Sequence, residues 1–274
     1  MILITGASGQ LATLVAQAAR RAGLALQTAS RASDADRPMD FDRVETLDLS
    51  GVSTLLLVSA GYAEDDVVIQ RHGAVLEAAR RHGVGHVVYT SLSAASDHLG
   101  FALAHRWTER AVKESGLGWT ILRNGLYAEL IGMLAAPRDR RIEVPFGTGM
   151  ISAVARADLA DAAIAVLRDP KAHAGMTYEL AGIAPFSVPD LARRLAVDYA
   201  PVSLAAERER LSGLPLLAFQ PPMLLSISSA AMAGFLRAET SDLETLVRHP
   251  RDALAVACEA ARLAGGLPSE AGQP

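Results

Sequence analysis

The residues able to do chemistry first gather in one short loop. Gly6, Gly9 and Ala12 stand three apart in Gly6-Ala7-Ser8-Gly9-Gln10-Leu11-Ala12, directly after the apolar run Met1-Ile2-Leu3-Ile4-Thr5 and directly before a helical pattern. Glycines at this spacing, between a strand and a helix, let backbone amides close on a nucleotide diphosphate at the positive end of the helix. Gly6 permits the tight turn, Gly9 lets backbone approach phosphate oxygens, and small Ala12 lets the helix lie close to its strand. In such a unit the tip of the second strand selects the dinucleotide: an acid takes a ribose 2′-hydroxyl, a basic group a 2′-phosphate. That tip reads Thr28-Ala29-Ser30-Arg31. Arg31 offers a planar fork of donors with no acid before it, which predicts NADP(H); Asp34 and Asp36 just beyond keep NAD(H) as the alternative.

Proton-transfer residues are conspicuous by their pattern. Hydride transfer to an ordinary ketone needs a proton donor, commonly a phenol acidified by an ammonium in Tyr-x-x-x-Lys. Tyr62, Tyr89, Tyr127, Tyr178 and Tyr199 are followed four residues later by Asp66, Ser93, Ile131, Gly182 and Ser203, so that pair does not occur. A quinone or cationic dye is electron-poor enough to take hydride when merely held beside a nicotinamide, and the sequence points to such an acceptor. His105 and Glu109 fall at i and i+4 on one helix face. His105 then meets the nicotinamide ribose or the acceptor, or else is a helix-surface histidine. Ser91, at a strand end, either touches cofactor or caps a loop, and Lys113 belongs to a solvated helix face. His82 and His86 span a helix end and a strand start with no Cys or carboxylate cluster, so no metal is assigned. Ser93, Ser96 and Asp97 lack a Gly-x-Ser-x-Gly elbow, which leaves acyl transfer without support.

The elements that must position these groups alternate. Leu11, Leu14, Val15 and Ala18 recur at helical spacing up to the stop at Gly23; residues 24–29, 54–58 and 86–90 read as strands. A helix marked by Val68, Val75, Ala78 and Ala79 lies between the last two, ended by Gly83-Val84-Gly85. Leu103, Trp107 and Ala111 stripe the next helix, 119–122 is the next strand, 157–167 another helix, and 178–180 a last strand. This is α/β order: a doubly wound parallel sheet of the Rossmann kind, covered on both faces. From Ala184 the texture turns helical, with capping boxes expected at Ser187-Val188-Pro189-Asp190 and Ser241-Asp242-Leu243-Glu244. The Pro-rich stretch 214–222 and the apolar run after it carry enough hydrophobic surface to cover a pocket, and 267–274 reads as a frayed tail.

Bulk properties narrow the class. A chain of 274 residues, half of them hydrophobic, can bury a sizeable core. Its net charge of −4 comes without a basic cluster interleaved with aromatics, which argues against nucleic acid as a partner. Cys258, the single cysteine, reads as core. The opening Ile-Leu-Ile run is too short for a signal peptide and no apolar run reaches membrane length, so the protein is expected in the cytoplasm. The expected partner is a small molecule, with a homodimer left open.

Several blocks together resemble a family. Gly6-Ala-Ser-Gly-Gln-Leu11, Tyr89-Thr-Ser-Leu92, Leu122-Arg-Asn-Gly-Leu-Tyr127, Ser152-Ala-Val-Ala-Arg-Ala-Asp158 and Tyr178-Glu-Leu-Ala-Gly182 are similar to successive motifs of the NmrA-like atypical short-chain dehydrogenase/reductases, and most of all to the NADPH:quinone oxidoreductase type 2 and triphenylmethane reductase group. The likeness runs from Met1 to about Glu259, with Arg123 to Tyr127 its most specific stretch. It implies an NADP-binding Rossmann domain over 1–170 and a smaller, mainly helical substrate domain over 171–274, apart from a last sheet strand near 178–181. It also implies residue roles. Gly6, Ser8, Gly9, Gln10 and Leu11 fall at the phosphates, Arg31 at the adenosine end, and Ser59, Ala60 and Gly61 along the ribose. Thr90, Ser91, Asn124, Gly125, Leu126 and Tyr127 fall near the nicotinamide, and His105 lies where the family has a His-containing helix, although the family's lysine after the acid is Arg110 here. His105 and Tyr127 are therefore the catalytic candidates. The implied activity is hydride transfer from NADPH to a quinone or similarly electron-poor acceptor; the rival is a non-catalytic NADP(H) sensor that regulates protein partners.

Overall fold

A computed structural model describes residues 1–32, 34–60 and 62–267. Along the chain run β1 (Ile2–Thr5), α1 (Gln10–Arg21), β2 (Leu26–Ser30), β3 (Arg37–Pro38), β4 (Thr54–Val58), α2 (Asp65–Arg81), β5 (His86–Leu92), α3 (Ala102–Glu114) and β6 (Gly118–Asn124). There follow α4 (Ala128–Leu134), β7 (Arg141–Ile142), α5 (Arg156–Arg168), β8 (Met176–Leu180), α6 (Val188–Leu195), β9 (Asp198–Tyr199), α7 (Leu204–Ser212), α8 (Gln220–Met232), α9 (Leu243–Leu246) and α10 (Ala253–Gly265).

The main sheet has the order β3-β2-β1-β4-β5-β6-β8, with parallel pairing throughout. Successive side chains of a strand point to opposite faces, and both faces are apolar because helices cover both. Ile4, Leu56, Val88 and Leu122 meet α1 and α5 through Leu11, Val15, Leu159 and Ala163. Their neighbours Leu3, Leu55, Leu57 and Tyr89 meet α2 and α3 through Val75, Ala79 and Val112. The winding reverses between β1 and β4, and at such a switch point the loops part to leave a crevice beyond the C-terminal strand ends. A further apolar core joins α4, α6, α8 and α10 around Ile131, Ile142, Phe146, Phe186, Leu191, Ile227 and Ala257, and buried Cys258 belongs to it. It recruits Leu126 to Ala153, so the helical half is built partly from chain that precedes β8.

Some boundaries depart from the sequence reading. β2 begins at Leu26 because the Leu24 amide turns back to the Ala19 carbonyl at 3.0 Å, closing α1 around Gly23 at φ +71°. β5 and β6 run on to Leu92 and Asn124, since polar Ser91 and Arg123 keep the ladder and bond a buried acid instead of ending the strand. The Ser187 capping box forms, but the one expected at Ser241 does not. Ser241 Oγ donates to the Ala181 carbonyl at 2.6 Å, and Asp242 Oδ2 accepts from the Glu179 amide at 2.8 Å, so these residues hold the free edge of β8 rather than cap a long helix. The tail expected to fray falls, beyond Leu267, outside the described residues. Among the described residues no helix is long and apolar enough to cross a membrane.

Gly132 on α4 sits so close to α10 that a Cβ there would lie 2.1 Å from the Ala257 carbonyl oxygen. In an open helix Gly→Ala gains up to about 1 kcal/mol, but a forced overlap with rigid backbone reverses the sign. Gly132→Ala should therefore lower stability by about 2 kcal/mol, seen as a lower urea midpoint at unchanged slope.

Candidate active site

At the switch point the C-terminal ends of β1, β2, β4, β5 and β6 open into a cavity of about 630 Å³. Gly6, Ser8, Gly9 and Arg31 line one stretch of it, Ser59, Ala60, Thr90 and Ser91 the middle, and His105, Asn124, Gly125, Leu126 and Tyr127 the far part. Met223, Leu224 and Ile227 of α8 form an apolar roof, which gives the hydrophobic run after Pro222 its place.

The opening turn is built to leave donors free. Gly6 has φ +65°, and the Gly9 amide closes the turn on the Gly6 carbonyl at 2.8 Å. Thr13 Oγ1 braces it from inside, donating to the carbonyls of Gly9 (2.9 Å) and Ala7 (3.0 Å), while the Ala7 amide ties it to Ala29 of β2 at 3.1 Å. Among the described residues no side chain caps α1 and its first turn holds no acid. First-turn amides have no partner within their own helix, so the positive end of α1 faces the loop uncompensated, as an anion site requires. Gln10 and Leu11 carry two of those first-turn amides but are not among the residues that line the cavity. The Gln10 side chain opens onto a neighbouring hollow with Ser8, Thr13, Glu129 and Arg156, and Leu11 is buried in the core.

Farther along the wall, Ser59 Oγ and Asn124 Oδ1 are buried polar atoms with no hydrogen-bond partner among the described residues. Leaving such atoms unpaired costs about 1–3 kcal/mol each, and in a cavity wall they call for a ligand's polar groups. Both belong to the set expected to meet a dinucleotide, and so does Thr90, whose Oγ1 accepts from the Ser59 amide at 3.0 Å. These atoms, the bare helix end and the glycine turn fit a pyridine dinucleotide. Gly61 lies outside the described residues.

Histidines shape the adjoining wall. His105 is not on the helix surface, and it does not share its partner with Glu109. Its Nδ1 lies 2.9 Å from the Tyr89 hydroxyl and it lines the cavity. Burial pushes its pKa down to about 4, so it is a neutral imidazole at pH 7, while burial pushes the Tyr89 phenol up. His72, which carries no sequence signal, accepts from the Ala60 amide through Nε2 at 3.0 Å. Its Nδ1–H therefore donates to Thr108 Oγ1 at 2.8 Å, and Thr108 donates on to the Ala104 carbonyl at 2.8 Å. Burial takes His72 to about 3, so it too is neutral.

Glu109 turns inward. Its carboxylate accepts from Ser91 Oγ (2.6 Å), Arg106 Nη1 (2.6 Å), Arg123 Nε (2.8 Å) and Arg123 Nη2 (2.7 Å). Burial alone would raise its pKa, but the bonds from Arg123 and Ser91 and the charges of Arg106 and Arg123 hold it below the usual range. Arg123 also reaches Glu179 Oε1 at 2.8 Å, and Arg106 reaches the Leu92 carbonyl at 2.8 Å, the Ser93 carbonyl at 3.1 Å and Asp97. The network ties β5, β6, β8 and α3 together beneath the far wall. Ser91 thus lines the cavity while bonding Glu109, and it caps no loop. Tyr127, at the start of α4, lies under the Arg156 guanidinium at 4.6 Å, with burial raising its phenol. Exposed Lys113 sits 5.5 Å from the Trp119 ring, away from the cavity.

Met39 to Asp42, Arg71, Phe101 and Leu130 also line the cavity and were not foreseen. Asp36 is withdrawn from it, its Oδ2 accepting from both the amide and the hydroxyl of Thr28 at 2.8 Å.

Comparison with known proteins bears on this geometry. A family model described as NAD(P)H-binding matches residues 6–170. The chain is 32% identical to quinone oxidoreductase 2 of Escherichia coli, over 93% of this chain and 96% of that protein. The triphenylmethane reductase of Citrobacter sp., solved in complex with NADP(H), superimposes with a TM-score of 0.86 at 27% identity, over 94% of this chain and 99% of that one. NmrA, a negative transcriptional regulator solved with NADP, shares the fold at a TM-score of 0.73 and 16% identity, over 97% and 96% of the two chains.

His72 and His105 stay unprotonated in the fold at pH values where the unfolded chain, with histidines near pKa 6.5, takes up protons. Stability should thus be complete above about pH 6.5 and fall as pH drops toward 4. Thermal melts across that range should show the decline, and His72→Gln, which cannot ionise, should flatten it.

Proposed function

Because the chain belongs to the NAD(P)H-binding NmrA-like family, we propose that it is an NADPH-dependent oxidoreductase that passes hydride directly to a quinone or similarly electron-poor acceptor. The observation that carries this reading is that a single cavity joins the glycine turn at one end to an uncharged, largely apolar chamber at the other. Arg31, Asp40, Asp42 and Arg71 stand at the first end, beside β2 and β3. Around His105, Asn124 and Tyr127 the described wall is Leu92, Phe101, Leu126, Leu130, Met223, Leu224 and Ile227.

In this account Gly6, Ser8 and Gly9, with the amides of Gln10 and Leu11, hold the diphosphate, and Arg31 holds the 2′-phosphate. Ser59 and Ala60 follow the ribose, and Thr90, Ser91, Asn124, Gly125 and Leu126 orient the nicotinamide. The bound cofactor supplies hydride from C4 of its reduced ring. The chain aligns the two reactants and excludes water, which removes most of the entropic cost of their encounter. Neutral His105 and the phenol of Tyr127 face the acceptor as uncharged polar groups that place its oxygen. A quinol oxygen is a far weaker base than an alkoxide, so the product anion survives hydride transfer and takes its proton from solvent on release, without a Tyr-x-x-x-Lys donor. Residues 1–170 carry the nucleotide and most of the chamber wall, and 171–274 close it over the acceptor with Met223, Leu224 and Ile227 of α8.

Purified protein mixed with NADPH and a panel of benzoquinones should consume the reduced nicotinamide well above the uncatalysed rate. Loss of absorbance at only the background rate with every acceptor would instead favour a cofactor-sensing regulator. Arg31→Ala should weaken NADPH by about tenfold or more and leave NADH nearly unchanged, because one charge-assisted phosphate contact is lost. Equal losses for both dinucleotides would remove Arg31 from the 2′-phosphate.

A further inference from the structure

The strand-tip acid that the sequence lacks is supplied by another element. Asp42, in the segment after β3, lines the cavity together with Arg31 and Arg71. Arg71, on α2, grips it at two points, Nε to Oδ1 and Nη2 to Oδ2, each at 2.6 Å. The arginine is the more enclosed partner, its side chain 18% exposed against 46% for the acid, so the carboxylate is the member open to a ligand. The hydrogen bond from Arg71 and the charges of Arg71 and Arg31 hold the Asp42 carboxyl below its ordinary range, which keeps it ionised. Of the other acids nearby, Asp34 does not line the cavity, Asp36 is spent on Thr28, and Asp40 Oδ1 accepts from the Asp42 amide at 3.1 Å.

We propose that Asp42 is a specificity-determining residue that opposes the 2′-phosphate: by occupying the fork of Arg71 and adding a negative charge beside Arg31, it narrows the preference for NADPH and lets NADH in. This rests on Arg31 marking the 2′-phosphate end. A ribose 2′-hydroxyl can donate to the Asp42 carboxylate, whereas a phosphate dianion gains Arg31 but is repelled by the acid and denied the second guanidinium. Discrimination is a difference of affinities, and a repulsive group sets it as surely as an attractive one.

The test is the ratio of NADH to NADPH dissociation constants, measured by calorimetry on the full chain, for wild type, Asp42→Asn and Asp42→Ser. Removing the charge and freeing Arg71 should raise that ratio by about tenfold, the scale of one like-charge contact near a protein surface. If the pair merely anchors the loop, both affinities fall together and the ratio stays put, which overturns the proposal; either substitution suffices should the other fail to fold. Arg31→Ala run alongside separates the two readings. An unchanged ratio in Arg31→Ala overturns both, while a collapsed ratio there with an unchanged one in the Asp42 variants overturns this proposal alone.

Discussion

The positive end of α1 is the constraint on which the rest depends. A helix that starts without a side-chain cap leaves amides unpaired, and a protein tolerates this where something else supplies the acceptor. The turn at Gly6 and Gly9, braced by Thr13 and tied to β2, fixes those amides in place before any anion arrives. The parallel sheet sets the end of α1 at the reversal of strand order, so the loops after β1, β2, β4, β5 and β6 converge on it. The glycine turn, the basic end beside β2 and the far chamber are consequences of that one arrangement.

The far chamber stays uncharged only because charge is organised beneath it. Glu109 and Arg123 are mostly or largely buried and satisfy one another, with Arg106, Ser91 and Glu179 using the remaining lone pairs and donors. Removing one partner of such a pair typically costs about 3–5 kcal/mol, because the survivor is left buried and unpaired. The network binds the ends of β5, β6 and β8, and Asn124 and Ser91 reach the cavity from those same strands. Burial keeps both histidines neutral, so His105 adds polarity to the wall without adding charge, while His72 lies behind it and holds the Ala60 amide. An electron-poor, apolar acceptor suits that surface better than an ionic one.

Local pattern carried much of this. β4 spans Thr54–Val58 as its apolar run predicts, and the glycine turn lies between strand and helix as its spacing requires. Most of the expected cofactor residues meet in one cavity, since they sit at the ends of strands whose order follows from alternating elements. What escaped depends on distant partners. β3 is an edge of Arg37–Pro38, too short to leave a periodicity, and so the segment that brings Met39 to Asp42 into the site had no signal. Glu109 looked like a companion of His105 because helical spacing gives a shared face but not the direction of a long side chain, which Arg123 decides from β6. Gln10 and Leu11, which the motif places at the phosphates, do not line the cavity: Leu11 is buried in the core and Gln10 lines a neighbouring hollow.

The measurement that tests the central claim most directly is amide hydrogen exchange with and without saturating NADPH. If the bare end of α1 seats the diphosphate, the amides of Ser8, Gln10 and Leu11 slow markedly on binding, together with Leu126 and Tyr127 on the opposite wall. Exchange at Ser8, Gln10 and Leu11 that does not change when the protein is saturated, or protection confined to another surface, would contradict the account.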